Sequence, residues 1–93
     1  MIINIKDLKN KIIYRANYRG TKEMDKLLGS FVRKYIDLLD KEELLLLSNL
    51  LDCDDENLYK LNQGLQMTIE IENNKIIELY KKYDYANEQW RRD

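Results

Sequence analysis

The octet Tyr18-Arg19-Gly20-Thr21-Lys22-Glu23-Met24-Asp25 places a helix stop and a helix start back to back. Glycine past a helix end adopts the left-handed conformation at little cost, so Gly20 reads as the stop. Thr21 is a residue type whose side chain caps the N–H groups of the turn that follows. The charges agree with the macrodipoles, with Arg19 at a C-terminus and Glu23 in a first turn. The spacing therefore predicts two helices joined by a tight corner.

On either side the apolar residues recur at helical intervals. Met1 to Lys6 reads as a short arm and Asp7 as the first N-cap. Leu8, Ile12, Ile13 and Ala16 then form one stripe of a helix reaching about Tyr18. Its other face carries Lys9, Lys11, Arg15 and Arg19. After the corner, Met24, Leu27, Leu28, Phe31, Tyr35 and Leu38 make the second stripe. Gly29-Ser30 falls inside it, and a mid-helix glycine costs about 1 kcal/mol relative to alanine, so a bend or a close helix contact is expected there. Asp40-Lys41-Glu42-Glu43 reads as a capping box. Leu44 to Leu47, Leu50 and Leu51 follow and cover more than one stripe, which predicts the most enclosed helix.

The acids Asp52, Asp54, Asp55 and Glu56 offer another N-cap. A short helix with Leu58, Tyr59 and Leu61 follows, stopped by Gly64. Met67, Ile69 and Ile71 alternate with polar residues, but no partner strand is visible, so a loop is expected. A last helix is expected over about Glu72 to Asn87, burying Ile76, Ile77, Tyr80 and Tyr83. Trp90-Arg91-Arg92 lies beyond it. The expectation is an all-α fold: one domain over residues 1–93, about five short helices, and flexible ends at 1–6 and 88–93.

The 93 residues suffice for one small core, and 44% hydrophobic with 35% charged residues is a globular balance. No apolar run nears the roughly 18 residues of a membrane span. The N-terminus has neither an apolar h-region nor a cleavage pattern, so no signal peptide is expected. There is no histidine and one cysteine, Cys53. A disulfide within the chain, a zinc site and Ser-His or Cys-His nucleophile pairs are thereby excluded in a monomer. Cys53, at a helix end, reads as a half-buried small apolar residue.

Net charge is −1 but unevenly spread. Residues 1–35 hold nine Lys/Arg against Asp7, Glu23 and Asp25. Residues 36–73 hold only Lys41 and Lys60 against ten acids. A basic first third beside an acidic middle predicts two faces of opposite sign. Glu23 and Asp25, two apart on a helix, point about 200° away from one another and cannot converge as an acid–base pair. The three glycines are isolated, so no phosphate loop exists. A pI of about 5.5 opposes a nucleic-acid footprint. Tyr14, Tyr18, Tyr35, Tyr59, Tyr80 and Tyr83 fall on or beside apolar stripes, and core packing is expected for most of them.

Arg19-Gly20-x-x-Glu23, followed by Met24 and Asp25, resembles the signature of the SdhE-type FAD assembly factors, also called succinate dehydrogenase assembly factor 2. Tyr14-Arg15, Leu27-Leu28-Gly29 with Phe31, Leu50-Leu51-Asp52, and Asp54 to Gly64 with Leu58-Tyr59 are similar too, in the same order. The likeness covers roughly residues 10 to 64. Ser30 stands where the family often has Pro, and Leu61 where it often has Trp.

The resemblance implies a chaperone and not an enzyme. Its partner would be the flavoprotein subunit of succinate dehydrogenase, and fumarate reductase as a further candidate. The protein would hold that subunit while FAD becomes covalently attached to it. FAD is then the client's cofactor, with none bound stably here and no metal. The client-binding residues implied are Arg19, Gly20 and Glu23, extended by Tyr14, Arg15 and Tyr18. Arg19 is expected to offer an outward forked donor, and Asp25 to serve as contact or internal partner. A bacterial cytoplasmic protein without membrane insertion, monomeric or weakly dimeric, is expected. The rival from another class is an antitoxin-like or nucleic-acid-associated helical regulator, supported by the basic first helix alone.

Overall fold

A computed structural model of the chain describes residues 4–86. Among the described residues five α-helices follow one another: α1 (Ile5–Asn17), α2 (Lys22–Tyr35), α3 (Lys41–Leu50), α4 (Asp55–Gln63) and α5 (Lys75–Lys82), with a 3₁₀ turn at Ile36–Leu38 after α2. No strand occurs among the described residues, and residues 65–74 form a loop, as the lack of a partner strand implied. Met1 to Ile3, Asn87 and the expected Trp90-Arg91-Arg92 tail lie outside the described residues.

Local signals set most of the boundaries. Thr21 Oγ1 accepts the Met24 N–H at 3.2 Å and starts α2. Asp40 and Glu43 form the reciprocal capping box of α3, at 2.8 and 2.9 Å. Asp54 caps α4, which ends on Gly64 in the left-handed conformation at φ 73°. At the N-terminus the cap is Asn4, whose side chain accepts the Asp7 N–H. Asp7 therefore sits in the first turn and is not the cap, and residues 5 and 6, expected in an arm, are helical. The last helix is shorter than expected: Asn74 caps it by accepting from both Ile76 and Ile77, so it starts at Lys75.

The core is lined by Ile12 and Ala16 of α1, by Met24, Leu27, Leu28, Phe31 and Val32 of α2, and by Leu44, Leu47 and Leu50 of α3. Leu58 and Leu61 of α4 and Ile76, Ile77 and Tyr80 of α5 complete it. Burial of each such side chain contributes on the order of 1.5–3 kcal/mol. The most enclosed helix is α2, not the leucine-rich α3, on which Leu45 reaches the surface. Ile13 and Leu38 are also exposed, because a sequence stripe wider than the real interface has residues at its margins.

Phe31 stands at the centre of an aromatic cluster. Its ring centroid lies 5.2 Å from Tyr80 and 5.3 Å from Tyr83, both edge-on. These pairs tie α2 to the end of α5, and edge-to-face pairs add about 0.5–1.5 kcal/mol beyond burial.

Helices α1 and α2 pack closely. A Cβ built on Gly29 would come within 2.5 Å of Asn17 Oδ1, so the glycine marks a close contact and not a bend. Helix α2 runs unbroken through it. Two asparagines fix the remaining segments. Buried Asn57 exchanges hydrogen bonds with Thr68 at 2.8–3.1 Å and pins the 65–74 loop onto α4. Asn62 donates to the carbonyls of Tyr80 and Tyr83, both at 2.9 Å, and so satisfies the end of α5.

Candidate functional site

The corner between α1 and α2 is built from four residues, Tyr18 to Thr21. Helix α1 ends at Tyr18 with φ −129° and ψ 67°. Gly20 does not take a left-handed conformation, since Gly64 alone has positive φ among the described residues. The need for glycine at position 20 is spatial: a Cβ there would lie 3.0 Å from Asp55 Oδ2. The expectation that Gly20 turns the chain through a left-handed step is thus corrected to one of close approach.

Arg19 is the second correction. Its side chain is only 12% exposed and points into the molecule. Nε donates to Asp55 Oδ1 at 2.8 Å, Nη1 to the Leu51 carbonyl at 3.0 Å, and Nη2 to the Cys53 carbonyl at 2.8 Å. The guanidinium therefore sits between the C-cap carbonyl of α3, the Cys53 carbonyl in the turn that follows, and a carboxylate in the first turn of α4. Both helix ends favour the charge they receive. The outward fork read from sequence is in fact an internal bolt. The Arg19 backbone N–H donates to the Asp25 carboxylate, which makes Asp25 an internal partner.

Two more cations of the basic row, Lys9 and Arg15, pair with acids nearer the surface. Arg15 donates to Ser48 Oγ at 3.1 Å and to Asp52, and Lys9 to Asp37 at 3.2 Å. Lys9, Arg15 and Arg19 each pair with an acid of residues 36–73, so the basic first third and the acidic middle meet at these three points.

Four of the expected client-binding residues remain outward. Gly20 is exposed. Glu23 is exposed and has no hydrogen bond or ion pair among the described residues. Tyr14 and Tyr18, 62% and 68% exposed, stack on one another with ring centroids 4.5 Å apart. Core packing was expected for most tyrosines; Tyr80 and Tyr83 obey it, whereas Tyr14, Tyr18 and Tyr59 do not. Tyrosine's apolar ring and polar tip suit both places, so the stripe alone does not decide.

Glu23 also lines a groove of about 660 Å³ that Met24, Leu27, Tyr59, Asn62 and Tyr85 help to form. Lys26 and Lys82 stand beside it. Cys53 is half-buried, and burial pushes its thiol up from 9.0, followed by Asp54 and Asp52, with Arg19 opposing. That favours the neutral thiol over the nucleophilic thiolate. Among the described residues no group of three or more His, Cys, Asp or Glu is placed to hold a metal. Asp52, Asp55 and Tyr59 were not singled out by sequence as parts of the site, although all three fall in the segments that resemble the family and the first two also in the acidic cluster.

The family model for Sdh5, described as flavinator of succinate dehydrogenase, matches residues 10–84. The chain belongs to that family. A curated relative, the FAD assembly factor SdhE of Acetobacter pasteurianus (strain NBRC 105184 / IFO 3283-01), is 38% identical over 55 residues. The match covers 59% of this chain and 50% of the relative, so the chain spans about half the length of the curated relative it matches. No solved structure matches the chain. The Sdh5 match contains the whole α1–α2 corner and all five helices except the first residues of α1. No helix of the described residues is long and apolar enough to cross a membrane.

Proposed function

We propose that this chain binds the flavoprotein subunit of succinate dehydrogenase and holds it while FAD becomes covalently attached to a histidine of that subunit. It acts as an assembly factor, not an enzyme, in the cytoplasm of a bacterium. FAD is the cofactor of the client and is not retained here. Family membership supports the client, and the corner supports the mode of binding. The observation that carries the reading is Glu23: an exposed signature carboxylate with no partner among the described residues, on a corner that also exposes the Tyr14–Tyr18 pair and whose Arg19 is bolted from beneath.

Each residue has a role in that reading. Tyr14 and Tyr18 supply apolar area with few torsions to freeze, a property common at interfaces. Gly20 lets the corner's own backbone lie against Asp55. Glu23 accepts from a cation or backbone N–H of the client. Arg15, held by Ser48 and Asp52, borders the patch.

The nucleic-acid reading is the weaker one, because Lys9, Arg15 and Arg19 of the basic first helix already pair with Asp37, Asp52 and Asp55.

The test is capture of the flavoprotein subunit by the tagged full chain, followed by fluorescence of covalently bound flavin in that subunit. Gly20→Arg should abolish capture and leave the helices formed. Glu23→Ala should weaken it by about 1–3 kcal/mol. If both variants support normal capture and flavinylation, the corner is not the docking edge.

A further inference from the structure

Asp55 touches both halves of the Arg19-Gly20 pair. Its Oδ1 accepts from Arg19 Nε at 2.8 Å, and its Oδ2 occupies the space where a side chain on residue 20 would begin, 3.0 Å away. Three of the five guanidinium donors are engaged, one by Asp55 and two by carbonyls at and just after the end of α3. From the other side, Asp25 takes the Arg19 N–H. The corner is thus gripped by α2 through Asp25 and by the α3–α4 junction through Asp55. Tyr18 directly precedes the gripped residues, and Glu23 follows three positions after Gly20.

We propose that Asp55 is a positioning residue for client binding: with Arg19 it forms one partly buried unit that fixes the corner, so that the exposed residues meet the client in a set arrangement. Arg19 then acts through Asp55 and not by touching the client. The inference rests on the corner being the docking edge. Its physical basis is preorganisation, since an edge already ordered loses less freedom on association.

A double-mutant cycle on client affinity tests it. The purified flavoprotein subunit without FAD is titrated with the wild-type chain, Arg19→Ala, Asp55→Ala and the double variant, with helix content followed by circular dichroism. Each single change should weaken binding about tenfold, and the double should be no weaker than the weaker single, because both remove the same unit. Asp55→Asn keeps an acceptor oxygen and should recover part of the loss.

Losses that multiply, or an Asp55→Ala variant that binds as well as the wild type while Arg19→Ala does not, would put the guanidinium on the client and overturn the proposal. Should Asp55→Ala fail to fold, the cycle is run with Arg19→Lys and Asp55→Asn, for which the same non-additivity is expected. Glu23→Ala separates the two readings. If it weakens binding while Asp55 variants do not, this inference alone fails; if it too binds normally, the docking corner fails.

Discussion

The Arg19 guanidinium and the Asp55 carboxylate meet at 2.8 Å across 36 residues of chain, with side chains 12% and 31% exposed. Such a pair differs from a surface bridge, because removing one partner leaves a shielded charge without compensation. Arg19→Lys keeps the charge but replaces a planar fork with a point, so it cannot serve Asp55 and two carbonyls together. We expect a loss of about 1–3 kcal/mol. For a domain of this size each kcal/mol lowers Tm by roughly 4–8 °C. Thermal unfolding followed by circular dichroism checks it, and an unchanged Tm would contradict the buried geometry.

Gly29 and Asn17 make the α1–α2 contact a second point of test. Gly29→Ala alone should be neutral to destabilising by about 2 kcal/mol, because overpacking costs about 1–3 kcal/mol and the helix gains about 1 kcal/mol in propensity. In an Asn17→Ala background the obstructing oxygen is gone. There Gly29→Ala should stabilise the protein by up to about 1 kcal/mol. Urea unfolding of the four chains reads this reversal of sign directly.

Tyr80 is fully buried and its hydroxyl donates to the Leu58 carbonyl at 2.7 Å. Tyr80→Phe should cost about 1 kcal/mol at neutral pH. Burial raises the phenol far above its ordinary value of 10.0, with Arg19 partly opposing. The folded state thus holds its proton where the unfolded chain releases it. Stability contributed in this way is complete below pH 10.0 and is lost as pH rises beyond it. Cys53, raised from 9.0, has the same sign. Denaturant midpoints between pH 8 and 11 should fall less steeply in Tyr80→Phe than in the wild type; parallel curves would count against it.

Glu43 contributes to the acid limb, as does Glu78, whose carboxyl is also lowered. Glu43 accepts the Asp40 N–H and pairs with Lys75 at 3.0 Å, and these two contacts, in that order, lower its carboxyl below the ordinary 4.5. A depressed folded value means stability that is present above 4.5 and lost as pH falls through the lowered value. Glu43→Gln retains an acceptor for the cap but cannot titrate. Its midpoint should vary less between pH 6 and 3 than that of the wild type, as read by urea titration at each pH.

Caps were legible because a cap is a bond between residues two to three apart. Thr21, Asp40 with Glu43, Asp54 and Gly64 all behave as their local sequence requires. The apolar stripes likewise told which face of each helix goes inward, since helical period and burial are linked by geometry alone. Asn4 was missed as the first cap because Asn4 and Asp7 are equally suited to the role, and only the true start of α1 chooses between them.

What the sequence by itself determined is therefore the set of helices, their punctuation and the signature that names the corner. Tertiary structure alone decided which way Arg19 faces, why position 20 lacks a side chain, and which tyrosines stay in water. The partners concerned, Asp55, Leu51 and Cys53, lie 32 to 36 residues from Arg19. Spacing along one helix carries no information about the rotation and offset of another packed against it. A cation and an acid far apart in sequence pair or part according to how the shared core sets those two quantities.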